Sequence, residues 1–122
     1  MKNRWVIKFD HIPSASTSDS LAICIEPTEE DIDVMRSNEL TFNFYDSEEG
    51  AAKLLKDWIN IDPSKTDAEL VVIERSGKII KYWSLYGVLN EEVKSEDDES
   101  NKVQKITTKI HYDHITNNKI DS

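Results

Sequence analysis

The chain changes its hydrophobic period in the stretch from Leu40 to Ile61, and that change limits what it can fold into. Leu40, Phe42 and Phe44 alternate with Thr41, Asn43 and Tyr45, the two-residue period of a strand with one buried face. Asp46-Ser47-Glu48-Glu49 then turns the chain. Asp46 and Glu49 have the spacing of a capping box, and acids there suit the positive end of a helix dipole. From Gly50 to Asn60, residues Ala51, Leu54, Leu55, Trp58 and Ile59 fall at i, i+3, i+4, i+7 and i+8, a single apolar stripe. Asp62-Pro63 stops the helix. No other segment carries so clear a helical period. The expectation is a β domain with one packed helix, tied to the sheet by Leu54, Leu55 and Trp58.

The remaining segments read as strands. Trp5, Ile7 and Phe9 alternate with Arg4, Val6 and Lys8, giving one apolar face. A polar loop over residues 14–20 follows, and then Leu21 to Ile25, apolar on both faces and therefore read as central. Residues 27–33 are acidic and read as a loop. Leu70 to Ile73 make a β-branched strand, Ser76-Gly77 a hairpin turn, and Ile79 to Leu89 its returning arm. Gly87 inside that arm signals a bulge or a close backbone contact. Residues 91–101 are so acidic that a mobile loop is expected. A final strand runs through Ile106, Thr108, Ile110, Tyr112 and His114. The sum is about six antiparallel strands and one helix, a small sandwich or open barrel. Residues 1–115 form a single domain on this reading, with residues 116–122 as a flexible tail.

Composition narrows the function. With 122 residues and a net charge of -9, the chain suits one soluble domain and argues against gripping a phosphate backbone, which needs clustered Lys and Arg. Its longest apolar run, Leu21 to Ile25, is too short to span a bilayer, and no secretion signal is evident, so a cytoplasmic site of synthesis and no membrane partner are expected. The single Cys24 excludes an internal disulfide and reads as a small buried hydrophobe.

Catalytic and metal constellations fare poorly. On one continuous strand His114 points away from His111 and Asp113, leaving too few convergent ligands for zinc. Asp97 and Asp98 lack the spaced oxygens and turn glycine of a calcium loop. With three glycines there is no phosphate cradle, and no serine sits in a strained Gly-flanked turn. Trp5, Trp58 and Trp83 occupy core-facing positions. An enzyme is not expected, and neither is a cofactor.

The order of parts then carries a resemblance. A strand leads into Asp46-Ser47-Glu48-Glu49-Gly50 and a helix ending Lys56-Asp57-Trp58. A hairpin with Trp83-Ser84-Leu85-Tyr86-Gly87 follows, then an acidic stretch and a last strand closing Ile110-His111-Tyr112-Asp113. Over roughly residues 40–115 this resembles the tail tube proteins of contractile-tailed (T4-type) phages and related injection systems, although the chain is short for that family. The resemblance implies a mainly β fold, a virion structural protein in hexameric rings stacked into a hollow tail tube, and assembly in the host cytoplasm. It also implies sheath and baseplate partners, and DNA passing through the lumen without specific binding. Under it Thr41, Asn43, Thr107 and Lys109 are candidates for the lumen or a polar ring surface; their alternation equally fits ordinary outward sheet positions. Glu96, Asp97, Asp98 and Glu99 are candidates for contact with a sheath or the next ring. The alternatives are a tube initiator or baseplate component on the same fold, or a small acidic adaptor that offers residues 91–99 to a basic partner.

Overall fold

Alternating apolar residues close this chain into a barrel rather than leaving an open sheet. The structure, a computed structural model, describes residues 3–13, 20–27, 38–46, 50–61, 63–96 and 104–118. Its elements are β1 (Arg4–Phe9), β2 (Leu21–Pro27), β3 (Glu39–Asp46), α1 (Ala51–Asn60), β4 (Thr66–Ile73), β5 (Ile79–Glu96), β6 (Gln104–His111) and β7 (His114–Asn117). Neighbouring strands run in the order β4-β1-β2-β3-β6-β5-β7, and β4 also pairs with β5, which closes the ring. Every pairing is antiparallel. Closure satisfies many of the backbone groups that an open sheet of this size leaves bare, although β2 meets β3 only at Glu26 and Pro27 and the β4–β5 ladder ends at Val88.

The period-two pattern sorts side chains between the core and the outside. Ile7 and Phe9, Leu70 and Val72, and Phe42 and Phe44 all point inward and are buried. Trp5 is half-buried and stacks on buried Trp83 with ring centroids 5.8 Å apart. Along β5 the inward set slips twice: Trp83 and Leu85 are buried, then Val88 and Asn90, then Val93 faces buried Thr108. The first slip falls at Gly87, whose φ of +65 places it in the left-handed region. A side chain there is strained and would also run into the Asp113 carboxylate. The expected bulge or close contact at Gly87 is therefore present, and both senses apply. The second slip is a register shift between Asn90 and Glu92, a bulge that bends the strand across the barrel.

The helix plugs this barrel as its stripe requires. Trp58 and Leu55 are fully buried and Leu54 is half-buried against the core. Trp58 meets Phe9 edge-on at 5.5 Å, and its indole N–H donates to the Ser64 carbonyl at 2.7 Å, so a large apolar body is buried with its one polar atom paired. The helix packs on β5, where the Asn90 amide donates to the Leu55 carbonyl at 3.0 Å.

Several expectations need correcting. The final strand is two strands, giving seven among the described residues where about six were expected. At the break, Tyr112 N–H donates to Asn38 O while Asp113 N–H donates to Tyr86 O, so the chain leaves β3 and continues along β5 alone. The tail expected from Thr116 is strand as far as Asn117, and Asn118 still bonds Tyr82 and Ser84. Residues 91–96, expected in a mobile loop, extend β5 and pair with β6. One face of that stretch meets water, so its charge does not oppose pairing. Asp46 belongs to β3, and the helix N-cap is Gly50, with no side-chain cap hydrogen bond; Glu49 lies outside the described residues. Cys24 is exposed, not buried. The expected hairpin is present, with Gly77 at φ +92 and its N–H bonded to Glu74 O at 2.8 Å.

Candidate functional site

The polar residues singled out by alternation converge on one surface. β3 and β6 pair in a register that sets Thr41 opposite Lys109 and Asn43 opposite Thr107. All four are half-buried positions on the outward face. Thr107 Oγ1 donates to Asn43 Oδ1 at 2.7 Å. The Lys109 ammonium reaches Glu39 at 3.2 Å and Glu91 at 3.7 Å. Its hydrogen bond to Glu39, then the charges of Glu39, Glu91 and Glu92, hold its pKa above the usual lysine value. On the adjoining stretch of β5, Lys94 pairs with Glu92 at 3.2 Å. The bulge at Asn90–Glu92 leaves both Glu91 and Glu92 exposed beside Lys109. The result is a polar wall whose charges are mostly answered by neighbours on the same wall.

Glu39, Glu91, Glu92 and Lys94 were missed as members of this surface. Glu39 continues the alternation of Thr41 and Asn43, so its place was legible; the others were hidden because an acidic run looks like a loop. Of the acidic candidates, Glu96 ends β5, whereas Asp97, Asp98 and Glu99 lie outside the described residues.

The histidines do not gather. His11 Nδ1 lies 3.3 Å from Thr66 Oγ1, His114 stacks on Tyr86 at 5.9 Å, and Asp113 is bound to Lys65 at 2.7 Å. Among the described residues no group of three or more His, Cys, Asp or Glu side chains is placed to hold a metal, and no helix is long and apolar enough to cross a membrane. Among the described residues, the buried side-chain atoms Asn90 Oδ1, Thr108 Oγ1 and Tyr112 OH have no hydrogen-bond partner. Burial pushes the Tyr112 phenol above the usual tyrosine value.

The closed antiparallel barrel with its one packed helix is a tail-tube-like fold by its likeness to solved structures. Solved structures share it along nearly the whole chain. A chain of the anti-feeding prophage baseplate, a sixfold-symmetrised cryo-EM structure, matches with a TM-score of 0.66 at 11% identity, covering 100% of this chain and 97% of that one. Hcp1 from Salmonella typhimurium matches with a TM-score of 0.65 at 15% identity, covering 94% and 85%. A chain of the sheath-tube complex of an extracellular contractile injection system, PVC, matches at 0.58 and 12% identity, covering 96% and 89%. At such identities the likeness shows the fold alone. No protein-family profile matches the sequence, and no curated protein matches it in sequence.

Proposed function

We propose that this chain is a structural tube protein of a contractile tail or injection system, whose copies close into rings, hexameric by this reading, that stack around a lumen. The observation that carries it is the sheet formed by β3, β6 and the end of β5. Its inner face is buried, its outer face is polar and largely self-satisfied, and its margins are only partly paired. A lumen wall asks for that division: core behind, water in front. The fold neighbours support the reading, since one belongs to a sheath-tube complex and one to a sixfold-symmetrised baseplate.

Thr41, Asn43, Thr107 and Lys109 face the lumen on this account. Lys109 is tied to Glu39 and Glu91, and the chain carries a net charge of -9, so the wall repels rather than retains DNA passing through it. Sheath and baseplate proteins are the partners, with the acidic residues 96–99 as the contact segment. The protein resides in the tail of the particle after assembly in the host cytoplasm and performs no catalysis. The baseplate neighbour supports a second reading on the same fold, a tube initiator that forms single rings.

Electron microscopy of the purified protein separates these readings. Rings stacked into hollow filaments support the tube subunit, and isolated rings support the initiator. Particles that stay monomeric at every concentration contradict both.

A further inference from the structure

Two of the unpartnered polar atoms in the core are neighbours in the fold. Asn90 and Thr108 are both buried, on the inward faces of the adjacent strands β5 and β6. Asn90 pairs with Ile110 across the ladder, and Thr108 stands two residues before Ile110, so the two are diagonal neighbours on one face. Tyr112, past the end of β6, is not part of this pair.

Each atom is unpaired for a reason its surroundings supply. The Leu55 carbonyl can only accept, so the Asn90 amide turns its nitrogen to the helix, at 3.0 Å, and its oxygen away. Thr108 has Phe42 opposite it on β3 and Val93 opposite it on β5, neither with a polar side-chain atom. Nor do Asn90 Oδ1 and Thr108 Oγ1 bond each other.

We propose that a single internal water binds between Asn90 and Thr108, behind the bulge of β5. It donates to Asn90 Oδ1, which only accepts, and takes a hydrogen bond from the Thr108 hydroxyl. Two polar partners are the fewest such a water needs, and polar groups buried in native interiors are met by protein or by water. The same pair selects water over other occupants. Both side chains are neutral, and Glu91, Glu92 and Lys109 lie on the outer face, so nothing at the site holds an ion. An apolar occupant would leave both atoms unmet. Glu91, the extra residue of the bulge, has no place in the β5–β6 ladder, and that local break beside Asn90 is where the water enters. The water completes a polar link through the core, from Leu55 O by way of Asn90 to the strand whose other face carries Thr107 and Lys109. The link lies within one chain and does not depend on the tube reading.

Magnetic relaxation dispersion of the water oxygen signal counts waters held inside a dissolved protein. Thr108→Val exchanges the hydroxyl for a methyl at nearly constant shape and is expected to hold one long-lived water fewer than the wild type. Thr108→Ser keeps the hydroxyl and should match the wild type. Equal counts in the wild type and Thr108→Val overturn the proposal. Should Thr108→Val fail to fold, a crystal structure of the wild-type protein decides. An ordered oxygen within hydrogen-bond distance of both Asn90 Oδ1 and Thr108 Oγ1 supports the site; a direct bond between the two side chains, or no ordered oxygen there, overturns it.

Discussion

The two halves of β5 are one continuous strand with opposite circumstances. From Ile79 to Val88 it lies between β4 and β7, which pairs with Trp83 to Tyr86. From Leu89 to Glu96 its one partner among the described strands is β6. The first half is a finished piece of a monomer: Trp83 and Leu85 are buried, and Gly87 is wedged against Asp113. The second half has a core face and a neighbour on one edge, and no described strand pairs its other edge. The first half buries Trp83, Leu85 and Val88 and has described strands on both edges at Trp83 to Tyr86, whereas the second half buries Asn90 and has a described strand on one edge. Hydrophobic burial drives folding of the single chain, while an open strand edge is a demand that another copy can meet.

The comparison can be broken most forcefully from the helix that backs the second half. Trp58→Ala removes a fully buried indole and should cost about 3–5 kcal/mol in denaturant unfolding; a loss below about 1 kcal/mol would mean the helix does not support β5 there. At the junction of the halves, Gly87→Ala imposes a side chain on a left-handed backbone against Asp113, with an expected loss of about 2–3 kcal/mol. Wild-type stability in that variant would show that the junction is not constrained.

A smaller, stabilising effect is expected at Tyr112, whose buried hydroxyl has no hydrogen-bond partner among the described residues. Tyr112→Phe should stabilise the chain by about 1 kcal/mol at neutral pH. The sign of its pH effect follows from the raised phenol pKa. The folded state keeps the proton to higher pH than the unfolded chain, so stability is full below the ordinary value of 10.0 and falls as pH climbs above it. The variant should therefore show a shallower alkaline decline; identical alkaline curves would place the titration elsewhere. The smallest folding effect belongs to the second half itself. Lys94→Glu should change monomer stability by less than about 0.5 kcal/mol and yet impair assembly in sedimentation velocity. Normal assembly would remove this surface from the contact.

Much of the architecture was legible in the residues. Alternation placed β1, β3 and the hairpin of β4 and β5, the helical stripe placed Leu55 and Trp58 inside, and Gly87 announced its own bulge. What stayed hidden has physical causes. The second half of β5 has Val93 as its one apolar inward side chain after the bulge, so charge density outweighed alternation. Ala22 and Cys24 are small enough to sit exposed on an outer face without penalty, and so imitated a strand buried on both sides. The break between β6 and β7 depends on hydrogen bonds from Tyr112 and Asp113 to distant carbonyls, which no local pattern encodes. Among the candidate surface residues, Thr41, Asn43, Thr107 and Lys109 were within reach because they share a period. Their acidic neighbours from β5 meet them only through the fold.

Amide hydrogen exchange along β5, followed from dilute to concentrated protein, tests most directly whether the strand is completed by other copies. The account predicts that alternate amides from Leu89 to Glu96 exchange quickly in dilute solution and become protected as the protein assembles, with Ile79 to Val88 protected throughout. Equal protection of both halves in the dilute monomer would contradict it.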